Sequence, residues 1–239
     1  MNIMIIGYGR MGRLIETTAK AAGDTIAAVI DLNNLDTLRT TTHPVDLVID
    51  FSNPAALDAV ADYVRRTGSP LLSGTTGYSP AQMETLRALG AHAPVLHSGN
   101  YSLGIAVFQH ILGQVTAVLG PDFDVEITET HHNQKIDAPS GTALMLRDAV
   151  CTGREMATVY GRQGTVGKRP ANEIGVHARR GGTVAGVHTV SFFGPDEELE
   201  ITHRATSRQI FVNGALHMGR LLCTMPRGTY DLQSLLFKD

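Results

Sequence analysis

One fifteen-residue stretch of this 239-residue chain carries a denser set of reactive groups than any other: Glu129-Thr130-His131-His132-Asn133-Gln134-Lys135-Ile136-Asp137-Ala138-Pro139-Ser140-Gly141-Thr142-Ala143. Pro139 and Ser140 can open a helix whose first unpaired N–H groups belong to Ser140, Gly141 and Thr142. Donors at a helix N-terminus favour an anion, and His132 and Lys135 add positive charge, so a carboxylate is the expected ligand. His131 is then the candidate proton donor. Hydride addition to a carbon–nitrogen or conjugated double bond leaves negative charge that must be neutralised on the neighbouring atom. Lys135 could share or replace that role. A metal is not expected, because adjacent histidines on a strand point oppositely and no third ligand has zinc spacing.

A second constellation would supply the hydride. Gly7-Tyr8-Gly9-Arg10-Met11-Gly12 directly follows an apolar strand-like run and precedes a helix-like one, the position a dinucleotide loop requires. Gly7 would allow the tight turn, Gly9 the approach of backbone to the pyrophosphate, and Gly12 close helix–strand packing. Asp31 follows Gly12 by nineteen residues, where a carboxylate would accept hydrogen bonds from the adenosine ribose. Asp31 would repel a 2′-phosphate, Arg10 could reach towards one, and Leu32 helps neither, so NADH and NADPH both stay open. Ser73-Gly74-Thr75-Thr76-Gly77 should lie at the carboxyl edge of the sheet, beside the nicotinamide half.

The elements that must position these groups are legible in outline. Apolar runs at Asn2 to Ile6, Thr25 to Ile30, Val45 to Asp50, Pro70 to Ser73 and Pro94 to His97 read as buried parallel strands. Asn53-Pro54 and Ser79-Pro80 open the intervening helices, with Gln82 placed to complete a capping box. From Phe123 the pattern changes to the two-residue period of a strand with one solvated face. Val187 to Phe193 and Leu199 to His203 read as a hairpin about Gly194-Pro195-Asp196-Glu197. Ile210 to Met225 returns to helical spacing, and the tail from Tyr230 to Phe237 is apolar enough to dock on the first domain. The expected fold is α/β: an N-terminal Rossmann-like parallel sheet (1–101 with 209–239) plus a second α+β domain with an open mixed sheet (102–208) for substrate binding and oligomerisation.

Composition narrows the partners. A formal net charge of −3 gives no global field for a polyanion, so nucleic acid is not expected despite Arg179-Arg180. Cys151 and Cys223 are isolated, which fits a reducing compartment. Met1 leads straight into a strand-like run without a secretory pattern, and no apolar run reaches membrane-spanning length. A cytoplasmic protein with no membrane partner is the expectation.

These residues together resemble the 4-hydroxy-tetrahydrodipicolinate reductase (dihydrodipicolinate reductase) family, NAD(P)H enzymes of lysine and diaminopimelate synthesis. The most specific part is Glu129-x-His131-His132-x-x-Lys135-x-Asp137-Ala138-Pro139-Ser140-Gly141-Thr142-Ala143, supported by Gly7 to Gly12, Asp50-Phe51-Ser52, Gly74-Thr75-Thr76-Gly77 and Asn100-Tyr101-Ser102. The resemblance implies His131 as proton donor or acceptor, Lys135 as proton donor, and His132, Gly141 and Thr142 as contacts to a small cyclic dicarboxylate. It likewise implies cofactor contacts from Gly7, Tyr8, Gly9, Arg10, Met11, Gly12, Asp31, Gly74, Thr75, Thr76, Ser98, Gly99, Asn100 and Tyr101, and a homotetramer built through the second-domain sheet. The chain departs from many relatives in a short connection from Leu32 to Pro44 and in Ala106, where an Asn is frequent.

On this reading the nicotinamide lies at a cleft between the domains, and closure excludes water while hydride and substrate meet. Two rival functions use the same first domain: a related amino-acid dehydrogenase, and a non-catalytic redox sensor that would not need the His-His-Lys stretch.

Overall fold

The computed structural model describes residues 1–237. The chain divides into two compact units, Met1–Ser102 with the segment from Gln209 onward, and Leu103–Arg208.

The first unit begins β1 (Asn2–Ile6), α1 (Arg10–Ala21), β2 (Thr25–Ile30), α2 (Thr37–Thr40), β3 (Leu47–Asp50), α3 (Leu57–Thr67), β4 (Leu71–Ser73), α4 (Pro80–Ala88) and β5 (Pro94–His97). Its strands are parallel, and β1, β3, β4 and β5 are buried on both faces, which a sheet achieves only when helices cover each side. Met4, Ile6, Val48, Leu71 and Val95 pack on Val60 and Val64 of α3 and Leu86 of α4. Ile3, Ile5, Leu47 and Ile49 are buried on the opposite face. Local chemistry sets the helix starts: Asn53 accepts the Ala55 amide ahead of α3, and Ser79 with Gln82 forms the expected capping box at α4.

The second unit comprises α5 (Leu103–Leu119), β6 (Asp124–His131), α6 (Gly141–Cys151), β7 (Ala157–Val159), β8 (Glu173–Arg180), β9 (Gly186–Gly194) and β10 (Glu197–Ala205). The strand order is β10-β9-β6-β8-β7, with antiparallel pairs on one side of β6 and parallel pairs on the other, a mixed sheet. The hairpin tightens to Pro195-Asp196, with Asp196 at φ 60°. Alternation along β6 buries Val125, Ile127, Glu129 and His131 on one face, where Phe108 and Leu112 of α5 and Leu146 and Val150 of α6 complete the core.

One expectation is corrected here. Leu103–Asp122 is a 20-residue helical stretch of mean hydropathy 1.5, long and apolar enough by composition to span a membrane. Its apolarity has a local cause: Ile105, Phe108 and Leu112 form the stripe buried in the second unit's core, while Gln109, His110 and Gln114 interrupt the rest.

The chain then returns to the first unit through α7 (Gln209–Leu222), β11 (Gly228–Tyr230) and α8 (Leu232–Leu236). β11 pairs parallel with β5, giving six strands in the order β11-β5-β4-β3-β1-β2. The sequence reading missed β11 because three residues carry no periodicity, but Leu232 and Leu235 are buried, as the apolar tail suggested. Gly219 of α7 lies so near β3 that a Cβ there would sit 2.4 Å from Leu47 Cδ2.

Candidate active site

The turn after β1 shows why it needs its glycines. Gly7 has φ +89°, and a Cβ on it would lie 2.3 Å from the Phe51 carbonyl oxygen; one on Gly12 would lie 2.0 Å from the Gly7 oxygen. Gly9 differs: no protein atom comes within 4 Å of where its Cβ would be. It is also the N-cap of α1 and offers no side-chain cap, so the first amides of that helix face open space. Tyr8 is pinned by its hydroxyl to Glu16, and the Arg13 guanidinium stacks 5.4 Å from its ring centroid.

A cavity of about 390 Å³ opens beside this turn, lined by Gly7, Tyr8, Gly9, Asp31 and the apolar Leu32 and Leu35, and closed by Phe51, Ser52 and Asn53. That volume is in the range of a cofactor subsite. Asp31 Oδ1 accepts the Asn33 amide at 2.7 Å, which leaves Oδ2 for a ligand hydroxyl. No Lys or Arg lies among the cavity's lining residues; Arg10 and Met11 stand outside it, in the first turn of α1.

A second group of loops gathers at the ends of β3, β4 and β5. Asp50 is 2% exposed and accepts hydrogen bonds from Ser52, Ser73, Thr75 and Tyr78, with no ion-pair partner among the described residues. Burial and the Asp50 charge push the Tyr78 hydroxyl up to about 12. Gly74 must be glycine because a Cβ would lie 2.3 Å from the Phe51 ring. Thr75 accepts the Ser52 amide at 2.9 Å, tying the two loops together, and Gly99 faces the Thr76 methyl. Ser98 Oγ accepts the Asn100 amide and donates to its carbonyl, fixing the next turn. Tyr101 is buried, and its hydroxyl donates to the Ser73 and Leu96 carbonyls at 2.8 and 3.3 Å. Its side chain therefore props these loops, with the hydroxyl proton committed to backbone carbonyls.

In the second unit, pairing in the mixed sheet assembles a cluster that the linear sequence scatters over sixty residues. Glu129 and His131 share the buried face of β6; β8 sets Arg180 beside His131, and β9 sets His188 beside Glu129. Glu129 is fully buried. It accepts from His131 Nδ1 at 2.6 Å, from both Arg180 Nη atoms at 2.8 Å, and from the Ser140 amide at 3.0 Å. Burial pushes its carboxyl up, but Arg180, His131 and the Ser140 amide outweigh it and hold the group below the usual carboxylate range. A fixed Nδ1 leaves the other ring nitrogen, Nε2, for proton exchange. A Cβ on Gly186 would lie 3.1 Å from that Nε2, so the glycine keeps the space beside it clear.

Ser140 caps α6, its Oγ accepting the Ala143 amide at 3.2 Å and sharing a 3.1 Å hydrogen bond with His188 Nε2. The expectation that the Ser140 amide is free for a ligand is corrected, because Glu129 takes it. Gly141 is the first helical residue. It has no protein atom within 4 Å of a would-be Cβ, so the fold does not demand glycine there and the bare backbone leaves room beside the helix start. Thr142 follows in the same turn. Lys135 Nζ lies 2.8 Å from Asp137 Oδ1, and His132 sits half-buried just past the end of β6. Burial pushes the Asp137 carboxyl up, but Lys135 outweighs it and holds the group down. This arrangement can capture an anion at the start of α6 and exchange a proton at His131. The sequence reading quoted Glu129 without a role and missed Arg180, Gly186 and His188. Only the two-residue period that puts Glu129 on the face of His131 was available as a signal.

Residues 1–101 match the family model described as dihydrodipicolinate reductase, N-terminus, and residues 104–236 match that of its C-terminus. The chain belongs to the dihydrodipicolinate reductase family. Among curated relatives, 4-hydroxy-tetrahydrodipicolinate reductase of an Exiguobacterium species is 40% identical, over 98% of this chain and 95% of its own. The enzyme of the same name from Staphylococcus aureus is 39% identical, over 98% and 100%. A solved dihydrodipicolinate reductase from a Paenisporosarcina species, with dipicolinate bound, shares the fold at a TM-score of 0.75 and 19% identity, covering 99% of this chain and 100% of that one. Membership of the dihydrodipicolinate reductase family makes the chain an oxidoreductase and accounts for a dinucleotide turn in one unit and an acid–anion cluster in the other.

Proposed function

We propose that this chain reduces 4-hydroxy-tetrahydrodipicolinate to tetrahydrodipicolinate with NADH or NADPH, a step of lysine and diaminopimelate biosynthesis. The nicotinamide supplies the hydride. Gly9 and the first turn of α1 receive the pyrophosphate, and Asp31 receives the adenosine ribose. The loops at Gly74–Thr76 and Ser98–Asn100, held by Asp50 and Tyr101, receive the nicotinamide half.

The amides of Gly141 and Thr142 and the side chains of Ser140, His132 and Lys135 hold the two carboxylates of the cyclic substrate. One hydride and one proton balance the reaction only if the 4-hydroxyl leaves as water; His131 would deliver that proton from Nε2 as negative charge builds on the conjugated system. Glu129, bonded to Nδ1, fixes the ring and leaves Nε2 for that proton. Lys135, half covered and paired with Asp137, adds positive charge near the diacid and is the second candidate donor.

The observation that carries this reading is the buried Glu129 carboxylate, which joins the His131 imidazole and the start of α6 within one hydrogen-bonded unit. The test follows NADH and NADPH absorbance separately with enzymatically generated substrate, for wild type and His131→Gln. The variant should lose at least ~100-fold in kcat and keep its cofactor affinity. Full activity in His131→Gln, or activity only on aspartate or homoserine, overturns the proposal.

We further propose a cytoplasmic homotetramer assembled through the second unit's sheet. The helices of that unit pack on one sheet face, and the other presents Thr128 and the hydroxyl pair of Thr189 and Thr202. Light scattering coupled to gel filtration should give four chains per particle.

A further inference from the structure

His188 takes no part in the chemistry above, yet at 4% exposure it is the most deeply buried imidazole among the described residues of the second unit. Its ring meets His131 edge-on, 5.1 Å between centroids. Burial, with the neighbouring His131, holds it down to about 4, so the ring is neutral and carries a single proton.

Where that proton sits is decided by the partners. Nδ1 is buried with no hydrogen-bond partner, whereas Nε2 lies 3.1 Å from Ser140 Oγ. A proton on Nδ1 would be a buried N–H without an acceptor, a rarer and costlier state than an unfilled acceptor. The proton therefore belongs on Nε2, and His188 donates to Ser140 Oγ. That oxygen already accepts the Ala143 amide, so both of its lone pairs are occupied. Its own proton can then only be donated outward, and no hydrogen bond among the described residues takes it.

We propose that His188 is a positioning residue that fixes the Ser140 hydroxyl as a donor to a carboxylate of the bound substrate. This rests on the reading that the start of α6 receives the diacid. The consequence is selectivity: a hydroxyl locked as a donor favours an ionised carboxylate, whereas a free one could turn a lone pair towards the ligand and accept neutral amides or alcohols as readily.

Two experiments test it. In native protein with 15N-labelled histidine, two-bond proton–nitrogen correlation reads the tautomer; a neutral ring protonated on Nε2 is expected, and one protonated on Nδ1 overturns the proposal. Calorimetry with pyridine-2,6-dicarboxylate, in the presence of NADH, then reads the coupling. His188→Phe should weaken binding about 10-fold or more, His188→Gln, which keeps a donor near Nε2, should restore most of it, and NADH affinity should stay unchanged. In a Ser140→Ala background, His188→Phe should cost nothing further, because it acts only through that hydroxyl. An equal further loss there overturns the proposal alone. Wild-type affinity in Ser140→Ala overturns the placement of the diacid as well. The tautomer measurement needs no variant and stands if His188→Phe does not fold.

Discussion

Replacing Glu129 by Gln tests whether the buried carboxylate holds the proton donor in place. The substitution keeps the side chain's shape and an accepting oxygen but removes the negative charge 2.6 Å from His131 Nδ1. A charge-assisted hydrogen bond is worth about 1.5–3 kcal/mol, and 1.36 kcal/mol is tenfold in rate, so kcat should fall by about 10- to 150-fold. NADH affinity should be unchanged, because the carboxylate belongs to the second unit and the dinucleotide turn to the first. Arg180→Met removes the cation that shares the carboxylate but leaves the bond from His131 to Glu129, so it should cost less. Turnover and NADH titration on both variants decide the matter. Wild-type kcat in Glu129→Gln, or a larger loss in Arg180→Met, refutes a role for the carboxylate in holding the donor.

Three further outcomes follow from particular contacts. His188 is held down to about 4 against an ordinary value of 6.5, so as pH falls the unfolded chain takes up this proton first. Its contribution, about 3 kcal/mol from the 2.5-unit difference, is fully present above pH 6.5 and lost as pH falls to about 4. His188→Gln should flatten that part of the urea-stability profile of the second unit; an unchanged slope contradicts the assignment. Asp31→Asn keeps the acceptor for the Asn33 amide but removes the charge facing the ribose, so the ratio of kcat/KM for NADPH over NADH should rise by about 10-fold, and a fixed ratio rules Asp31 out as a determinant. Gly186→Ala would put a methyl 3.1 Å from His131 Nε2. We expect kcat to fall about 10-fold or more with NADH affinity unchanged in a binding titration, because only the proton's path is crowded.

Much of this protein can be read without coordinates because its signals are local. Gly7, Gly9 and Gly12 mark the dinucleotide turn by backbone requirements confined to six residues, and a Cβ at Gly7 or Gly12 would clash with backbone. Ser79 with Gln82, and Ser140 ahead of α6, announce helix starts by side chains that reach only three residues along. The parallel strands show as short apolar runs between helices, and β6 by its two-residue period. The apolarity of Leu103–Asp122 was equally local, but its meaning was not, since burial against β6 and α6 is decided by packing.

What the chain order could not disclose is everything set by pairing between distant strands. Arg180 meets Glu129 because β8 lies parallel to β6 in one register, and His188 meets Ser140 because β9 lies antiparallel on the other side. A shift of either strand by one residue would turn those side chains to the opposite face. The residue types of the acid and the anion site are thus fixed by sequence, while the burial and hydrogen bonding that tune them exist only once the mixed sheet has closed around Glu129.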